Sequence, residues 1–174
     1  MQMSPGRLRT ATAADAAELL RLWSLLFGDD DGDGDGGDGD GGGGDGGGGG
    51  APSGEPWREH AHAWFARYAD DPLNARFPVV EVDGELVATA VGTLEIGVPN
   101  PRCARGRTVR LANVITLPGH RGHGYGTRLV LDVVEWARSI AADRVDLSAT
   151  PDGQRVYEKL GFTLTSAPRM KLVL

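Results

Sequence analysis

Cysteine, lysine and long apolar runs are all scarce in this chain of 174 residues, and each scarcity excludes something. The lone Cys103 has no partner for an intrachain disulfide, which points to a reducing compartment. No stretch approaches the roughly 20 apolar residues of a membrane span, and Met1 to Thr10 has neither an apolar core nor a small-residue cleavage pattern. A cytoplasmic protein with no membrane contact is therefore expected. Lys159 and Lys171 are the only lysines, and the arginines are scattered along the chain. Nucleic-acid binding needs a basic stripe, and none is legible here.

The formal charge of −6 has one origin. Every residue from Gly28 to Gly50 is Gly or Asp, and setting aside the eight aspartates of this tract leaves the remainder at +2. Asp29, Asp31, Asp33 and Gly34 copy the first half of an EF-hand calcium loop, but Asp40 stands where the bidentate Glu belongs and glycines follow where a helix should. A disordered, self-repelling insertion at residues 28–50 is the expectation, within one domain spanning 1–174. No metal site is expected elsewhere: His60 and His62 point to different helix faces, and His120 and His123 have no Cys or carboxylate nearby.

The richest stretch runs from Val114 to Leu129. A β-branched run breaks at Pro118-Gly119, passes through Arg121 and the alternating Gly122, Gly124 and Gly126, and opens into a helix. Such glycines let several N–H groups turn toward one point, and the helix start adds unpaired donors, so an anion is the expected ligand. Spacing separates the phosphate-binding patterns. A P-loop needs Gly-Lys-Ser/Thr, but Thr127-Arg128 follows Gly126; a dinucleotide fingerprint needs a third glycine where Thr127 stands. Arg-x-x-Gly-x-Gly is met by Arg121, Gly124 and Gly126. A glycine-rich strand-to-helix turn with no ligand is the competing reading.

Downstream, Asp146 to Phe162 reads as a short strand, a breaker, about two turns of helix holding Tyr157, and a stop at Gly161. Together the two segments resemble the GCN5-related N-acetyltransferase (GNAT) family, which pairs an Arg/Gln-x-x-Gly-x-Gly/Ala motif with a Tyr-x-x-x-Gly-Phe ending. The resemblance is close over residues 107–162 and one of general layout elsewhere.

The remaining elements are read from periodicity. A strand at Leu8 to Thr10 precedes a helix capped by Thr12, and Pro56 opens a second helix with an aromatic face of Trp57, Trp64, Phe65 and Tyr68. Phe77 to Val82 and Glu85 to Glu95 form a hairpin at Asp83-Gly84. The strand Arg107 to Leu117, the helix Gly124 to Ala141, the strand Val145 to Ala149, the helix Gly153 to Leu160 and a last strand at Arg169 to Leu174 complete the order. An α/β fold is expected, its mixed sheet flanked by helices on both faces. The resemblance implies that this sheet is splayed between its two central parallel strands to admit acetyl-CoA.

The resemblance further implies an N-acetyltransferase that moves the acetyl group of acetyl-CoA to an amine, small molecule or protein, in a ternary complex, with dimers common. It assigns the CoA pyrophosphate to the backbone of Arg121, Gly122, His123, Gly124, Tyr125, Gly126 and Thr127, and the pantetheine arm to the strand end near Leu117. Thr150 and Gly153 stand where many members carry Asn and Ala, a departure at one CoA contact that a hydroxyl such as that of Thr150 can replace in part. Tyr157 falls on the family's proton donor to the leaving thiolate, a role suited to a phenol of pKa about 10 facing a thiol of about 8.5. Packing of the helix on the sheet is its other reading. A lysine-like acceptor with pKa about 10.4 costs roughly 4 kcal/mol to hold neutral near pH 7.4. The strand Arg107 to Leu117 holds no Asp or Glu to help, so Glu95 is the candidate base and Asn113 the candidate holder of a water or acceptor carbonyl. A non-catalytic acyl-CoA-binding or interaction module is the alternative.

Overall fold

The computed structural model describes residues 6–27, 55–167 and 169–174; the Gly/Asp tract and its EF-hand-like start lie outside the described residues. Six strands form one sheet: β1 (Arg7–Thr10), β2 (Ala75–Arg76), β3 (Pro78–Val82), β4 (Glu85–Ile96), β5 (Arg107–Thr116) and β6 (Arg144–Asp146). Their order is β1-β3-β4-β5-β6, with the two-residue β2 pairing on β4. All pairs are antiparallel except β5 with β6. The hairpin between β3 and β4 turns at Asp83 and Gly84, both at positive φ, as an Asp-Gly turn requires.

Four helices cover the two faces. α3 (Tyr125–Ser139) places Leu129, Val130, Val133, Trp136 and Ala137 against Val87, Ala88, Ala90, Val109 and Leu111, and α4 (Pro151–Lys159) adds Tyr157 on the same side. α1 (Ala16–Phe27) and α2 (Glu55–Tyr68) bring Leu19, Leu22, Trp23 and Phe65 onto Phe77, Val79, Leu86 and Val91 of the other face. β3 and β4 lie between both layers, which is why they read as nearly continuous apolar runs instead of alternating ones. Two sequence expectations are corrected. The strand expected to reach Ala149 stops at Asp146, because the chain turns to cap α4: the Thr150 hydroxyl accepts the Gly153 N–H at 3.1 Å. Residues 169–174 form no strand, since a three-residue β6 offers little edge to pair with; Met170 and Leu172 are exposed.

The entry into α1 is fixed by charge. The Arg9 guanidinium grips both Asp15 oxygens at 2.8 Å and reaches Glu81 at 2.9 Å, while the Thr12 N–H donates to Asp15 at 2.7 Å. Chiefly through the Arg9 hydrogen bonds, the Asp15 carboxyl is held down at about 2. Because that value is depressed, the stabilisation is complete above the unfolded carboxyl pKa of about 3.9 and is lost as pH falls through about 2. Urea unfolding is expected to show Asp15→Asn less stable than the parent at pH 7, with the gap closing between about pH 4 and pH 2. A gap independent of pH would contradict the assignment.

Candidate active site

The site begins where two parallel strands part. β5 is ten residues long, but β6 pairs with it only from Thr108/Arg144 to Arg110/Asp146. Beyond that last pair the edge of β5 that faced β6 is open. Val109, Leu111, Val145 and Leu147 point into the core under α3, so by strand alternation Arg110, Asp146 and Ser148 project on the opposite face. Thr89 pairs with Ile115 while Val91 pairs with Ala112, leaving one extra residue on β5. Asn113 occupies this bulge at φ 50° and is half-buried. A bulge bends its strand and re-aims the backbone, and Asn tolerates the left-handed region better than most residues. Asn113→Gly is expected to leave thermal stability near the parent's, whereas Asn113→Val, β-branched at positive φ, should cost about 1–2 kcal/mol. Denaturant melts of both variants check this.

The end of β5 leads into the cradle. The Leu117 N–H donates to the Val87 carbonyl at 2.8 Å, and the Leu117 carbonyl accepts the His120 N–H at 2.8 Å. Both backbone groups of Leu117 are therefore used within the fold. Strand alternation turns those of Thr116 and Val114 the other way, toward the open edge, and the Arg121 Nε donates to the Thr116 carbonyl at 3.3 Å. A 3-10 turn at Pro118–His120 is followed by Gly122 at φ 80° and Gly124 at φ 74°. The ring of His123 braces this loop: its Nδ1 donates toward the His120 and Arg121 carbonyls at 3.1 and 3.0 Å, and it stacks on Tyr125 at 5.6 Å. Tyr125 is buried, so the helix start is anchored. Arg128 is the first residue of α3 to bond backward, to the Gly124 carbonyl at 3.1 Å. The N–H groups of Tyr125, Gly126 and Thr127 therefore have no intrahelical acceptor, and the helix dipole adds positive potential beside them. A Cβ added at Gly122, Gly124 or Gly126 would meet nothing within 4 Å, so the concavity is open to a ligand.

Across the splay, α4 starts at Pro151 with Thr150 as its cap, and Tyr157 packs edge-on against Phe162 at 5.9 Å. Tyr157, half-buried, also lines a cavity of about 350 Å³ together with Arg110, Ser148, Glu158 and Arg169. The structure puts Asn113 and residues 121–127 on or just after the part of β5 that β6 leaves open, and Thr150 and Tyr157 on the segment that follows β6. It does not bring Glu95 there. That side chain is exposed near the end of β4, opposite Thr108, four residues from the Val91 that pairs beside the bulge and so about 13 Å along the strand, and eight residues from the Val87 that bonds Leu117. Sequence reasoning passed over Arg110 and Ser148. The available signal was a lone cation set between Val109 and Leu111 in a central strand, where a charge is costly without a purpose. Among the described residues no group of three or more His, Cys, Asp or Glu is placed to hold a metal, and no helix is long and apolar enough to cross a membrane.

Comparison with known proteins follows the same outline. Residues 50–162 match the family model described as the acetyltransferase (GNAT) family. Among solved structures, the acetyl-CoA complex of a predicted acetyltransferase from Clostridium acetobutylicum superposes with a TM-score of 0.75 at 20% identity, covering 97% of this chain and 96% of that one. Glucosamine-6-phosphate N-acetyltransferase from Arabidopsis thaliana gives 0.71 at 16% identity over 97% and 99% of the two chains. The aminoglycoside N-acetyltransferase AAC(6')-Iy in complex with CoA gives 0.70 at 15% identity over 99% and 97%. A search of curated proteins finds no match. The family model spans more than half of the sequence and covers the cradle, the splay and Tyr157: the chain belongs to the GNAT family of acetyltransferases.

Proposed function

We propose that this protein transfers the acetyl group of acetyl-CoA to a primary amine by direct attack within a ternary complex. What supports the reading is a pair of features on neighbouring parallel strands, an open glycine-rich turn into α3 at the end of β5 and a Tyr157-lined cavity beside β6. In this reading the CoA pyrophosphate rests on the N–H groups of residues 122–127, and the pantetheine arm pairs with the open edge of β5 through Thr116 and Val114 in place of Leu117. That pairing delivers the thioester to the bulge at Asn113, where a re-aimed backbone N–H can hold the carbonyl oxygen as it gains charge. The neutral amine attacks the carbonyl carbon, the C–S bond breaks, and the departing thiolate takes the phenolic proton of Tyr157. In this reading the Thr150 hydroxyl, which accepts the Gly153 N–H as the cap of α4, also contacts the cofactor.

With Glu95 about 13 Å along β4 from the bulge, proton removal from the ammonium falls to water held near Asn113. β5 carries no carboxylate, and that one fact favours the second reading, a module that binds acyl-CoA without transferring it. Thiol release separates the two. The enzyme liberates free CoA from acetyl-CoA when a suitable amine is added, and mass spectrometry finds the amine 42 Da heavier, about one acetyl group, as amide-forming transfer requires. The binding module leaves hydrolysis at background with every amine.

A further inference from the structure

Building on the acetyl-transfer reading, we propose that the acceptor is an amine that also bears an acid group, carboxylate or phosphate, and that Arg110, Ser148 and Arg169 hold that group at the closed end of the splay. The Ser148 hydroxyl receives an N–H from Arg110 Nη2 at 3.2 Å and another from Arg169 Nη1 at 3.1 Å. Two guanidinium groups from distant parts of the chain therefore converge on one neutral oxygen. Like charges repel at such range, and an anion seated between them would turn that repulsion into attraction. The Arg110 guanidinium presents five donors in a planar fork, the geometry that matches a carboxylate or phosphate.

Position supports the same assignment. Arg110 belongs to the last pair before β5 and β6 separate, with Asp146 opposite. The thioester in the proposed reaction lies further along β5, toward the Asn113 bulge, so an acid group on Arg110 points the rest of the acceptor at the reacting carbon. Arg110, Ser148 and Arg169 share the cavity of about 350 Å³ with Tyr157, a volume that suits a small molecule better than a folded partner. Asp146 and Glu158 line it too: Asp146 is bridged to Arg144 at 3.2 Å, and Glu158 accepts from Gln154 at 2.6 Å. Cationic and anionic groups in one small cavity fit a ligand that carries both signs, as an amine with an acid group does before it loses its proton.

The test measures kcat/KM by thiol release for two matched pairs, an α-amino acid with its decarboxylated amine and phosphoethanolamine with ethanolamine. The acid-bearing member of at least one pair should be faster by roughly ten- to a hundredfold, the range of a hydrogen bond to a charged group, and which pair responds tells carboxylate from phosphate. Arg110→Gln should bring the two members of that pair together, and Arg110→Lys should retain part of the preference, while calorimetry shows acetyl-CoA still bound. Equal rates within both pairs, faster acid-free amines, release with none of the four, or an Arg110→Gln variant slowed equally on both members would each overturn the proposal. If calorimetry shows the parent failing to bind acetyl-CoA, the transfer reading itself falls; if acetyl-CoA binds, the outcome judges the acceptor alone.

Discussion

Replacing Tyr157 by Phe is expected to lower the rate of acetyl transfer by about a hundredfold or more while leaving acetyl-CoA affinity within about twofold, because a positioned proton donor is worth 10²–10⁴ in rate. The ring stays. Its edge-on contact with Phe162 at 5.9 Å and its packing under the α3 face are contacts of the ring, which phenylalanine keeps. What disappears is a phenolic O–H, and phenols as a class, with pKa about 10, can give a proton to a thiolate whose conjugate acid is near 8.5. The effect should lie in kcat and shrink for an acyl donor whose leaving thiol is more acidic and needs no proton. A loss of stability with unchanged kcat per folded molecule would mean that Tyr157 is only a packing residue.

Gly126→Val separates binding from folding in the opposite way. Gly126 sits in the first turn of α3 with φ outside the left-handed region, and an added Cβ touches nothing within 4 Å. Valine is a better helix former than glycine by a few tenths of a kcal/mol, so the variant should melt at or slightly above the parent's temperature. Its isopropyl group nevertheless stands over the N–H groups of Tyr125, Gly126 and Thr127. Loss of two charge-assisted hydrogen bonds, each worth about 1.5–3 kcal/mol, predicts acetyl-CoA affinity reduced by about a hundredfold or more. Gly124→Val makes a poorer test, because φ 74° at that position strains any β-branched residue and confuses stability with binding. Thermal melts beside calorimetry read both quantities for Gly126→Val.

Much of the candidate site was legible because the chemistry proposed for it depends on backbone. Phosphate cradles require glycines at fixed spacing, and Arg121, Gly124 and Gly126 display that spacing in the sequence itself. The hairpin at Asp83-Gly84 was legible for the same reason, since few dipeptides accept two successive positive φ angles. Elements that depend on a neighbour were not. The alternation at the C-terminus suggested a strand, but a strand exists only where an edge offers pairing, and β6 is three residues long. The position of Glu95 on the strand next to β5 is legible, but its register is not: pairing sets it opposite Thr108, about 13 Å along β4 from the bulge. Which backbone groups near Leu117 face the splay is set by the Leu117–Val87 hydrogen bond and not by composition. Asn113 was singled out for its side chain, whereas the structure gives its backbone the more distinctive part, a bulge at φ 50°. Arg110, Ser148 and Arg169 are separated by up to fifty-nine positions and meet only through the fold.

The account turns on whether the cradle at residues 122–127 holds the pyrophosphate of CoA, and calorimetric titration of the parent protein with acetyl-CoA beside S-acetylpantetheine, which keeps the thioester and lacks the pyrophosphate, asks that directly. The account predicts saturable binding of acetyl-CoA and affinity for S-acetylpantetheine weaker by about a hundredfold or more, the worth of the lost charge-assisted hydrogen bonds. Equal affinity for the two, or no binding of acetyl-CoA, would contradict it.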